Sequence, residues 1–139
     1  MKTKMLFNLT FLVFLFFANS AFAITREVTI KNMLPGQINL VSYSGEFTPA
    51  PPQQILSNGS ANLVGTWLFL RNTDRHAVYS YSFVKNGTKY EGKCDIGLYI
   101  SGGGKLSCSS KGCTGPVDIR PGGYNSNGDP IGLIQYIGS

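Results

Sequence analysis

The chain has 139 residues, with 12 Lys and Arg against 7 Asp and Glu, one His, three Cys and 17 Gly. That length suits a single domain, and the basic residues are scattered from Arg26 to Arg120 with acids between them, which excludes the concentrated basic face of a nucleic-acid binder. One imidazole and three thiols spaced thirteen and four residues apart do not make the paired ligands of a zinc centre, so neither a metal nor a cofactor is expected.

The first residues read MKTKMLFNLTFLVFLFFANSAFA. Lys2 and Lys4, an apolar run and a small-residue end at Ala21-Phe22-Ala23 are the layout of a secretory signal cleaved after Ala23. The run is shorter than the roughly 20 apolar residues that a spanning helix needs. The expected organisation is therefore residues 1–23 as signal and 24–139 as one secreted or periplasmic domain. No transmembrane segment is expected in the mature chain. Without Lys2 and Lys4, ten Lys and Arg face seven Asp and Glu, a net of +3, enough for a weak attraction to anionic lipid or glycan.

The mature chain opens with TREVTIKN, whose Val28 and Ile30 alternate with Thr29 and Lys31 as in a half-buried strand. Pro35-Gly36 marks a turn, and QINLVSY repeats the alternation, so the two segments are expected to form an opening hairpin. In FTPAPPQQILSNGS, Pro49, Pro51 and Pro52 exclude a helix and disfavour a central strand, leaving an extended surface connection. SANLVGTWLFL reads as a strand. AVYSYSFVKNGTKYEG is the clearest hairpin: Asn86-Gly87 suits a two-residue turn whose positions need φ > 0, and Thr88 to Glu91 are expected to return beside Phe83 to Tyr79. Short strands follow at LYIS, KLSC, PVDI and IGLIQYI, separated by GGG, SSKG and PGGYNSNGDP. No helical periodicity appears after the signal. The expected fold is all-β, a single antiparallel β-sandwich.

In an oxidising compartment two of the three cysteines are expected to pair. If SSKG turns a four-residue hairpin loop, Cys108 meets Cys113 across it. If the strands instead pair around Gly102-Gly103-Gly104 and continue past residue 108, Cys94 falls opposite Cys113. The first arrangement needs only local structure and is the one expected, with Cys94–Cys113 as the alternative.

Catalytic patterns are sparse. His76 is the only possible imidazole base, no serine sits in a G-x-S-x-G elbow, and Asp95 and Asp118 are the acids that folding might bring together for glycoside chemistry. ISGGGKLS lacks the phosphate-loop spacing. The expectation is a protein that is not an enzyme. Asn58-Gly59-Ser60 and Asn86-Gly87-Thr88 fit the N-glycosylation pattern, though each also reads as an ordinary turn. The aromatic residues speak for binding, because tyrosine and tryptophan pair an apolar body with a polar tip. Tyr79 and Tyr81 on one strand face with Tyr90 returning beside them would form a patch, and Trp67 is a further candidate. The competing arrangement buries Tyr79, Tyr81 and Phe83 and turns the serines to water.

VTIKN, a turn and INLVSYSGEF, then PAPPQQILSNGSA, the hairpin around Asn86-Gly87 and the closing IGLIQYI together resemble the aegerolysin-like or crystal-protein-like secreted β-sandwiches. That resemblance implies a membrane-lipid binder. The family's acidic Trp-Asp motif after the central hairpin is replaced here by Lys93-Cys94-Asp95, so only Asp95 carries over as a site residue. The expected function is a secreted, non-enzymatic binding protein for a membrane lipid or surface glycan. The alternative is a protein-binding module, such as an inhibitor or immunity protein, that uses an exposed loop over residues 46–60.

Overall fold

The computed structural model describes residues 23–68, 75–100 and 106–138; apart from Ala23, the expected signal segment lies outside them. Among the described residues there is no helix. The strands are β1 (Ala23–Asn32), β2 (Ile38–Ser44), β3 (Gln54–Ile55), β4 (Ser60–Leu68), β5 (Arg75–Lys85), β6 (Thr88–Ile100), β7 (Leu106–Cys113), β8 (Val117–Tyr124) and β9 (Pro130–Tyr136). They form two sheets, ordered β4-β1-β9-β8 and β3-β2-β5-β6-β7. One core joins them: Val28, Ile30, Leu63 and Ile134 from the first sheet pack with Ile38, Ala77, Tyr79, Tyr81, Phe83, Ile96 and Leu98 from the second. Strict alternation along β5, buried at each odd position from Arg75 to Phe83, is the period-2 pattern of a strand with one face inward.

Three expectations are corrected. The all-β reading stands, but the sheets are not purely antiparallel, because β9 runs parallel to β1 with Thr29 opposite Ile131 and Asn32 opposite Ile134. A parallel neighbour requires a long crossover, and here everything between β1 and β9 supplies it. Segment-by-segment patterning carries no information about a partner a hundred residues away.

The opening hairpin does not form. β1 pairs with β4 and β9, while β2 pairs with β3 and β5 in the other sheet. Residues 33–37 cross between the sheets instead. Met33 N–H donates to Ile134 O at 2.8 Å, holding the end of β1 to its own sheet. Gly36 then passes so close to β5 that a Cβ there would lie 2.8 Å from Ser82 O. The crossing is fastened by Asn32, fully buried. Its Nδ2 donates to Gly36 O, Ile55 O and Leu56 O at 2.9, 3.1 and 3.2 Å, and its Oδ1 accepts Leu34 N–H at 3.0 Å. A buried amide with every polar atom used replaces the water that these loop groups would otherwise need.

The third correction concerns the cross-link, which joins Cys94 to Cys113, the alternative pairing, and not Cys108 to Cys113. SSKG is no loop: Ser109 and Ser110 lie inside β7 opposite Gly97 and Ile96. A register shift follows, with Gly112 at φ 95° opposite Asp95, and it delivers Cys113 opposite Cys94. Such a bulge suits a glycine with positive φ. Cys108 holds a register position opposite Leu98, and its side chain lies outside those described. The β5–β6 hairpin turns at Asn86-Gly87, φ 51° and 80°, and Lys85 pairs with Thr88, so Tyr90 rather than Thr88 stands opposite Phe83.

The proline-rich connection is tied down rather than loose. Phe47 bridges to Gly65, Thr48 N–H donates to Val64 O at 2.9 Å, and Leu40 N–H donates to Gln53 O at 2.8 Å. Within it, Gln54 and Ile55 form β3 along the edge of β2. Phe47, Pro51 and Ile55 are buried within the 46–60 loop, while most of its other side chains are exposed.

Candidate functional site

The residues singled out by sequence do not gather in one place. Tyr79 and Tyr81 are core residues, because their face of β5 is the inward one. Tyr79 Oη donates to Pro52 O at 2.8 Å, and burial pushes its pKa from 10.0 up to about 12. Tyr81 Oη donates to Thr114 O and fits between Gly92 and Gly115, where an added Cβ would lie 2.5 and 2.6 Å from it. Both hydroxyls therefore bind the fold's own loops. The side chain of Trp67 lies outside those described; its backbone pairs with Ile24.

The phenol of Tyr79 provides a test. A folded-state pKa above the unfolded one means that the native state holds the proton more tightly. The stabilisation is complete below about pH 10 and fades as pH rises toward about 12. Tyr79→Phe is expected to lower stability by about 1 kcal/mol at neutral pH through the lost hydrogen bond. It should also flatten the alkaline decline, as read by urea midpoints across that range.

Asp95 lies on the outer face of the second sheet, where His76 Nδ1 approaches its Oδ1 at 3.0 Å. Asp118 is in the other sheet, 3.3 Å from Arg120 Nε. The two acids stand in different sheets, each with its own partner. Among the described residues, no group of three or more His, Cys, Asp and Glu is gathered closely enough to hold a metal ion.

Tyr90 does reach a distinctive place. At the end of the fold carrying the Asn86-Gly87 turn, Phe83, Tyr90 and Tyr136 stack with centroids 5.4, 5.6 and 6.1 Å apart. Lys85 Nζ sits 4.1 Å from the centre of the Tyr136 ring, a cation–π contact. The Tyr136 hydroxyl, hydrogen-bonded to that of Tyr90, is the first cause of a raised Tyr90 pKa. The same end receives the 33–37 and 55–59 connections, both held by Asn32. At this same end of the strands Met33, Leu56, Val84 and Ile137 are 50%, 60%, 62% and 46% exposed. These are four of the seven large apolar side chains exposed among the described residues, so the exposure is concentrated at one end.

Sequence reasoning missed Tyr136, Lys85, Met33, Leu56 and Ile137. A usable signal existed for two of them: Met33 stands just before Leu-Pro-Gly and Leu56 just before Ser-Asn-Gly, large apolar residues at turns where polar ones are usual. For Tyr136 and Lys85 the signal is tertiary, since only the parallel placement of β9 brings them together. Among the described residues, no helix is long and apolar enough to cross a membrane. No protein-family model, no curated protein and no solved structure matches this chain.

Proposed function

We propose that the protein is a secreted, non-enzymatic β-sandwich that binds membrane lipid through the end bearing the Asn86-Gly87 turn. The observation that carries this reading is that Met33, Leu56, Val84 and Ile137 are all exposed at the end of the fold where Tyr90 and Tyr136 meet. Scattered exposed apolar residues need no explanation, whereas a cluster ringed by polar groups marks an interaction surface. Tyrosines at its base match the interfacial preference of amphipathic rings. The Cys94–Cys113 bridge accords with an oxidising compartment, and the aegerolysin-like pattern of the sequence supports the same class of ligand.

Fully burying a leucine- or methionine-sized side chain is worth about 1.5–3 kcal/mol. Half-exposed side chains therefore retain about 1 kcal/mol each to gain from a lipid phase. Purified protein lacking residues 1–23 is expected to co-sediment with phospholipid vesicles. Met33→Ser with Leu56→Ser should weaken partitioning by roughly thirtyfold, while the unfolding midpoint stays close to that of the parent. Absence of binding to vesicles of every composition tried would remove the proposal.

A further inference from the structure

The apolar end also carries an uneven charge. Within three residues of the strand ends there stand Lys31, Lys85, Lys89 and Arg120 against Glu91 and Asp118. Both carboxylates are engaged: Glu91 lies 2.9 Å from Lys89, and Asp118 lies 3.3 Å from Arg120. No ion pair among the described residues takes up Lys31 or Lys85. Lys31 stands on β1 just before Asn32, two residues ahead of Met33, and is exposed. Lys85 ends β5 at the turn and is held over Tyr136, so its charge sits beside the apolar cluster. At the opposite end, Arg75 is buried with its Nε donating to Glu46 O at 2.8 Å, and the acids Glu46 and Asp129 stand there with Arg26.

From this juxtaposition we infer that the occupant of the apolar end is an anionic bilayer surface, bound in preference to a zwitterionic one; the inference rests on the membrane reading above. Side chains such as Leu56 and Met33 enter the acyl boundary, and Lys31 and Lys85 meet the headgroup layer just outside it. An amphipathic surface with a basic margin binds membranes in this way. Each lysine within a Debye length of an anionic leaflet is worth roughly fivefold in partitioning, so the two together give a preference of about twenty-five-fold. The preference should fall with added salt, whereas binding to neutral vesicles, driven by apolar burial, should not.

The experiment compares co-sedimentation of the protein without residues 1–23 on vesicles of phosphatidylcholine alone and of phosphatidylcholine with phosphatidylserine, at low and at high salt. Lys31→Gln with Lys85→Gln serves as the second protein. Stronger binding to the serine-containing vesicles, reduced by salt and lost in the variant with neutral-vesicle binding retained, is the expected result. Equal binding of the parent to both vesicles overturns this inference and leaves the membrane reading standing, as does a preference that the variant keeps. Binding to neither overturns both. Comparing the variant's unfolding midpoint with the parent's separates lost charge from lost fold.

Discussion

Asn32→Ala is expected to cost about 3–4 kcal/mol, the largest effect of any single polar substitution proposed for this protein. Four hydrogen bonds converge on one fully buried amide. Each is worth about 1 kcal/mol net, with more lost wherever a buried partner is stranded. The groups left short of a partner would include the Gly36 carbonyl and the N–H of Leu34, where two connections meet, whereas Leu56 O keeps the Gly59 N–H. Asn32→Asp sharpens the test. It keeps the acceptor for Leu34 N–H but turns a carboxylate toward three carbonyl oxygens, so it should destabilise strongly at neutral pH. That loss should be partly relieved as the pH falls and the carboxyl takes up a proton that it can donate. Urea unfolding at neutral and acid pH reads both variants. Because Met33 and Leu56 flank the loops that Asn32 fastens, vesicle binding should weaken in either variant even where the fold survives.

Removing the Cys94–Cys113 bridge with Cys94→Ala and Cys113→Ala is expected to cost about 3 kcal/mol, the usual scale for closing a loop whose ends are 19 residues apart. The bridge lies beside a second fastening. Just past it, Thr114 N–H donates to Lys93 O at 2.9 Å, Thr114 Oγ1 accepts Lys93 N–H at 3.0 Å, and Tyr81 reaches the carbonyl of the same threonine. Urea midpoints measured with and without a reductant decide the matter. The parent should fall to the level of the double variant when reduced, and the double variant should not respond. A parent whose midpoint ignores reductant would show that the thiols are not joined. Intact-mass measurement adds a direct count, since the oxidised protein is lighter by two hydrogens.

What could be read from the sequence, and what could not, follows a physical division. Alternation in YSYSFVK set the faces of β5, and Asn86-Gly87 set its turn, because both depend on neighbours along the chain. The same alternation left open which face was inward. Tyrosine suits a core as well as a surface when its hydroxyl finds a partner, and the partners, Pro52 O and Thr114 O, are 27 and 33 residues distant. The local cysteine pairing failed for a related reason: Ser-Ser-Lys-Gly looks like a loop in isolation, but the long β6 strand offers it a continuous edge. The candidate end was the least legible part, since Tyr90 and Tyr136 meet only once β9 has slotted beside β1. Asn32 was invisible for want of any pattern, one asparagine in a run already assigned to a strand.

The parallel contact between β1 and β9 has a kinetic meaning. β9 occupies an interior position in its sheet, between β1 and β8, so that layer is not closed until the final strand has been synthesised and delivered. Pairing of such distant segments is slow, since the loop-closure entropy must be met before the contacts form. A nascent molecule would therefore linger with one flank of β1 unsatisfied and sticky. Chaperone protection during synthesis matters more for such a topology than for a meander whose neighbours pair as they emerge.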